Sequence, residues 1–300
     1  MLAEKNQTLE RKNSLSGKLS DYVQFTKLRL SLLVVFSAGI SFIIASHGTV
    51  NWASLAWLIT GGFLVTGSSN GFNQIIEKDL DKLMDRTANR PLPQGRMSVT
   101  EGLIVSGIMG IMGISILYHF MNPLSGILGA MALLLYTVVY TPLKRVTPFA
   151  VFVGAFPGAI PPMLGWVATQ QGFGEITFPA FLLFVVQFMW QFPHFWAIAW
   201  VMDDDYKKAG FRMLPSPGGR DKSSAFQAFT YTLFLLPISL SPVFFGVAGK
   251  ASAAVILIAG CIFAWQAYRL YRDCSTKAAS KLMFGSFIYL PIVQLALLIG

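Results

Sequence analysis

The segment NGFNQIIEKDLDKLMDRTANRP, Asn70 to Pro91, lies between two apolar stretches and sets Asn73, Glu77, Asp81 and Asp85 four residues apart. That period predicts a single helix face carrying all four side chains. Carboxylates stacked at this spacing repel one another. A chain that keeps them beside a membrane implies a positive partner among them, and Mg²⁺, which prefers oxygen ligands, meets that need.

Outward from this segment the chain is apolar. Hydrophobic residues make up 54% of 300 and charged ones 12%, with a mean hydropathy of +0.58, which excludes an ordinary water-soluble fold. The expected fold is an all-α integral membrane protein with nine transmembrane helices around a central cavity. The spans fall at about 30–46, 52–76, 99–118, 124–140, 148–169, 177–201, 225–246, 251–268 and 282–299. Residues 1–29 form an N-terminal tail and 30–300 one transmembrane domain.

Charge placement orients these spans. Of 23 Lys and Arg, 6 lie in the tail, 5 in 77–98, 2 in 141–147, 5 in 202–224 and 4 in 269–281, and Lys250 stands alone on the other side. The positive-inside rule then places the N-terminus in the cytoplasm and the C-terminus outside. The net charge of +9 is a topology signal and calls for no nucleic-acid partner. The first 20 residues lack an apolar core with a cleavage site, so no removable signal peptide is expected. Cys261 and Cys274 do not suggest a disulfide framework.

Eight of the 14 acidic residues gather in two loops: Glu77, Asp79, Asp81 and Asp85 in one, Asp203, Asp204, Asp205 and Asp221 in the other. The spans carry almost nothing ionisable, whereas ion-coupled transporters place such groups near the bilayer midplane. Chemistry at one membrane face is therefore expected. The loops follow spans two and six, which suggests two parallel four-helix halves, 30–145 and 148–281, plus a last helix, with the acidic loops facing each other. Arg86, Arg90, Arg96, Lys144, Arg145, Lys207, Lys208 and Arg212 lie close by in sequence. Cations and metal at the mouth of an apolar bundle suit an anion with an apolar tail, such as a prenyl diphosphate. The plainer reading is solvated loop charge that only sets topology.

Asn73-x3-Glu77-x3-Asp81 resembles the first motif of the UbiA superfamily of intramembrane prenyltransferases, and Met84 to Leu92 resembles its haem-farnesylating subgroup. Tyr140 to Arg145, Gly158 to Trp166, and Pro193-His194-Phe195-Trp196 through Asp204-Asp205-Tyr206 to Pro215 extend the resemblance over most of the chain. Two departures stand out. Glu77 occupies a position usually held by Asp, and Val201 stands where quinone-type members place a second Asp four residues before Asp205. The resemblance implies farnesyl transfer from farnesyl diphosphate to a vinyl group of protohaem IX, with water added, giving haem O.

It further implies Asn73, Glu77, Asp81 and Asp205 as catalytic metal ligands, with Asp85 and Asp204 assisting. Arg86, Arg90, Lys144 and Arg145 are the expected diphosphate ligands. His194 and Trp196 are candidates for haem contact, alongside Phe192, Phe195 and Trp200, although helix packing accounts equally for all of them. Gly154, Pro157, Gly158, Pro161, Pro162 and Gly165 are expected to weaken or interrupt span five. Expected partners are membrane lipid and a haem A synthase or terminal-oxidase assembly machinery. The expected location is a bacterial inner membrane with the site facing the cytoplasm. A quinone-type or chlorophyll-type acceptor, and a noncatalytic haem-binding protein, stand as alternatives.

Overall fold

The computed structural model describes residues 15–299, so residues 1–14 of the expected tail lie outside it. Every regular element among the described residues is helical. The chain order is α1 (Leu15–Phe25), α2 (Leu28–Ala45), α3 (Trp52–Ile76), α4 (Lys78–Asp81), α5 (Val99–Ile116), α6 (Pro123–Leu134), α7 (Thr141–Leu143), α8 (Ala150–Val167), α9 (Phe178–Val201), α10 (Asp203–Lys208), α11 (Lys222–Phe244), α12 (Lys250–Asp273) and α13 (Thr276–Ala296). π-helical turns at Leu117–Met121 and Leu135–Tyr140 extend α5 and α6. Eight helices among the described residues are long and apolar enough to cross a membrane, and the chain is a multi-pass membrane protein. α3, with 25 residues, is not one of the eight, because Gly67 to Gln74 replaces apolar side chains with Gly, Ser, Asn and Gln.

Helix ends follow local chemistry. Asn51, Ser98, Asn122, Asp221 and Ser275 each accept a hydrogen bond from the backbone N–H three residues on, which caps α3, α5, α6, α11 and α13. α2 packs on α3 and α8, α3 on α5, α8 on α9, and α9 on α11 and α13, while α13 also returns to α2. Gly165 permits the α2–α8 crossing, since a Cβ there would strike the Ala38 backbone carbonyl.

The structure refines three expectations. α8 is one continuous helix despite Pro157, Pro161 and Pro162. Pro162 has no N–H to offer Gly158 O, and Gln187 Nε2 on α9 donates to that carbonyl at 2.7 Å instead. The expected loop 269–281 is mostly helix: α12 runs to Asp273 and α13 starts at Thr276, because Lys, Arg and Ala are good helix formers. The N-terminal segment holds a further helix, α1, fastened by Lys18 and Tyr22 to Glu101 and by Asp21 to Arg96.

Candidate active site

The helix that carries Asn73 ends at Ile76, and Glu77 is its C-cap. Backbone hydrogen bonds from Glu77 N to Asn73 O and from Asp81 N to Glu77 O still preserve a four-residue step, so Asn73, Glu77 and Asp81 remain aligned and all three are buried. Asp85 departs from the expected face. The chain leaves helical geometry after Asp81, and Asp85 is exposed and paired with Lys208 at 2.6 Å.

Cations converge on the three buried residues from three separate parts of the chain. Arg90 Nη1 donates to Asp81 Oδ2 at 2.7 Å. Lys144 Nζ lies 2.5 Å from Glu77 Oε1 in ion-pair contact without an aligned hydrogen bond. Lys27 Nζ donates to Asn73 Oδ1 at 3.0 Å, while Asn73 Nδ2 donates to Glu77 Oε2 at 2.8 Å and to Thr141 Oγ1 at 3.3 Å. Lys144 also lies over the rings of Tyr140 and Phe211, 4.9 and 5.5 Å from their centroids.

Lys27 was not legible as a site residue. In sequence it is one of six tail charges; in space its left-handed backbone, φ 50°, breaks the chain between α1 and α2 beside Asn73. Although Lys27 is half-buried as a residue, its ammonium is enclosed. Burial, reinforced by Arg90 and Lys144, holds its pKa well below the usual lysine range. Burial likewise raises the Asp81 carboxyl against the opposing pull of Arg90. Three basic side chains thus face two carboxylates, an arrangement suited to an anion, whose charge would favour protonation of Lys27.

The second acidic loop meets the first, and its acids divide between tasks. Asp205 accepts backbone hydrogen bonds from Asp85 N at 2.8 Å and Arg86 N at 3.3 Å, and also pairs with Lys208. Its partial burial works the other way, yet these donors hold its carboxyl below the usual range. Asp204 is exposed and pairs with Arg220 at 2.9 Å. Among the described residues no three His, Cys, Asp or Glu lie together as a metal cluster. Arg86 is exposed and lies close enough to act electrostatically on Tyr206. Arg145 is exposed, with no side-chain partner among the described residues.

The donor set around Asn73 nevertheless suits Mg²⁺. It is all oxygen, and Asp81 Oδ1 is buried without any hydrogen-bond partner, an arrangement that costs stability unless something positive fills it.

His194 and Trp196 turn to different neighbours. His194 Nδ1 lies 2.7 Å from Ser286 Oγ on α13, and the ring stacks on Trp190 at 4.3 Å. Trp196 packs against Phe192 and Tyr231. Both residues are buried.

Comparison with known proteins places the chain among relatives. The model of the UbiA prenyltransferase family matches residues 32–290. The protoheme IX farnesyltransferase of Cytophaga hutchinsonii is 49% identical over 284 residues, 94% of this chain and 98% of that protein. The protoheme IX farnesyltransferase of Christiangramia forsetii is 46% identical over 288 residues, 94% of each chain. A solved structure of digeranylgeranylglyceryl phosphate synthase superposes with a TM-score of 0.77 at 21% identity, over 93% of this chain and 97% of that one. A UbiA homolog from Archaeoglobus fulgidus bound to GPP and Mg²⁺ superposes at 0.65 and 13% identity, over 93% and 100%. These two carry the fold alone, while the family model and the close relatives carry descent, and on that ground the chain belongs to the UbiA prenyltransferase family.

Proposed function

We propose that this protein transfers the farnesyl group of farnesyl diphosphate to a vinyl group of protohaem IX, with addition of water, to give haem O and diphosphate. The naming of its relatives supports the acceptor. The observation that carries the chemistry is the buried, unpartnered Asp81 Oδ1 among Lys27, Arg90 and Lys144.

Asn73, Glu77 and Asp81 would hold Mg²⁺, and Asp205 serves by joining the second loop to the first. The bound metal supplies positive charge that offsets the charge developing on the diphosphate. The allylic C–O bond breaks with its electron pair leaving on the diphosphate. Arg90, Lys144 and Lys27 favour that step because negative charge on the leaving group grows in the transition state. The vinyl π electrons then form the new C–C bond, and water adds to the resulting cation and releases a proton. Asp205, holding Asp85 and Arg86, closes the mouth against premature capture of the allylic cation by water. The site faces the cytoplasm from a bacterial inner membrane, in keeping with the clustering of Lys and Arg at its end of the bundle.

Mass spectrometry of pigment extracted after incubation with farnesyl diphosphate, Mg²⁺ and reduced protohaem tests the reading. A mass gain of farnesyl plus water, lost with chelator, is expected. A prenylated quinone ring formed in a parallel incubation, with haem unchanged, would overturn the acceptor.

A further inference from the structure

α12 and α13 run antiparallel and are joined by only Cys274 and Ser275, with Cys274 in the left-handed conformation, φ 43°. Chain alternation places this hairpin at the same end of the bundle as the acidic site. Between its two helices lies a cavity of about 300 Å³ whose walls include Trp265, Arg269, Asp273, Lys277 and Lys281. At about 30 Å³ per water, this is room for roughly ten waters, ample for a phosphate group.

The charge balance is uneven. Asp273 is taken by Arg269 at 3.2 Å and by Arg272 at 2.7 Å. Lys277 and Lys281 are one helical turn apart, exposed, and without an ion-pair partner among the described residues. The cavity therefore keeps a net positive charge and presents two free ammonium groups.

Two apolar ridges lead away from it. On α12, Ile258 (63% exposed), Ile262 and Trp265 share the face of Arg269 at three- and four-residue steps. On α13, Phe284 and Ile288 share the face of Lys277 and Lys281 by the same spacing. Because the helices are antiparallel, both ridges descend from the cavity in one direction, toward the membrane interior. They reach about 10 Å at 1.5 Å per residue. Trp265 at the junction is the kind of side chain that favours the boundary between hydrocarbon and headgroup.

We propose that this cavity binds the phosphate of an anionic membrane lipid, with Lys277 and Lys281 as its ligands and the acyl chains lying along the two ridges. A free phosphate or diphosphate shares the headgroup chemistry but has no use for the ridges. The ridges are therefore what select the lipid.

The test is native mass spectrometry of detergent-purified protein titrated separately with phosphatidylglycerol, phosphatidylcholine, inorganic phosphate and diphosphate. One phosphatidylglycerol is expected to be retained in preference to phosphatidylcholine, and neither free anion displaces it. Lys277→Gln with Lys281→Gln weakens that binding roughly 30-fold, whereas Lys250→Gln, at the far end of α12, leaves it unchanged. Equal retention in the double variant, equal retention of phosphatidylcholine, or displacement by either free anion would overturn the proposal. Haem product formation in detergent is unaffected by the double variant, which separates failure of this site from failure of the proposed reaction.

Discussion

Asp81 shows how one side chain can serve both structure and chemistry. One carboxylate oxygen is held by Arg90 at 2.7 Å and the other is buried and free. Removing the whole side chain would leave Arg90 partly buried and unpaired, a costly change. Asp81→Asn keeps an acceptor for Arg90 and removes the charge. Its kcat is expected to fall by about 100-fold or more, with its thermal midpoint in detergent near that of the parent; near-normal turnover would remove the metal site. Lys27 gives a second residue-scale prediction. Lys27→Met takes away a hydrogen-bond donor that a bound anion would help to protonate, so the KM for farnesyl diphosphate should rise about tenfold or more while the KM for haem holds. Steady-state kinetics with each substrate varied in turn would reveal an equal effect on both, which would assign Lys27 to packing. The surface pairs, such as Lys208 with exposed Asp85, are expected to contribute little.

Among the elements, α8 and α9 carry the clearest coupling of sequence to packing. The prolines of α8 leave the Gly158 carbonyl without its usual donor, and Gln187 supplies one while accepting from Gln294 Nε2 on α13 at 2.9 Å. Gln187→Leu should cost about 1–3 kcal/mol, the penalty for orphaning a buried carbonyl, seen as a lower thermal midpoint in detergent; an unchanged midpoint would show that the carbonyl has another partner. At α3, Gly71 sits against Phe25 and Ser106 where a Cβ has no room. That close approach brings α1, α3 and α5 together just ahead of Asn73. The four-residue spacing was legible for Asn73, Glu77 and Asp81 because hydrogen bonding continues across Glu77. It failed at Asp85, because periodicity does not register where a chain leaves the helix.

At the scale of the molecule, the uneven distribution of Lys and Arg predicts orientation. With Cys261 and Cys274 replaced by Ser, a cysteine at exposed Glu175 should react with an impermeant thiol reagent in whole cells. A cysteine at exposed Arg212 should react only once the membrane is opened, and the opposite pattern would invert the topology. Composition, apolar run length and charge alternation determined by themselves that the chain spans a membrane as helices, because the cost of bringing unpaired backbone into hydrocarbon leaves few other choices. The spacing of Asn73, Glu77 and Asp81 likewise exposed half of the candidate site, since the period of a helix is local. Tertiary structure alone decided that Lys27, from before the first span, joins Lys144 and Arg90 in that site. It also decided that Asp205 holds the backbone of Asp85 and Arg86, and that His194 turns to Ser286. These contacts link residues 46 to 120 positions apart, and which distant charges meet is settled by helix packing, for which no local pattern in the chain is a record.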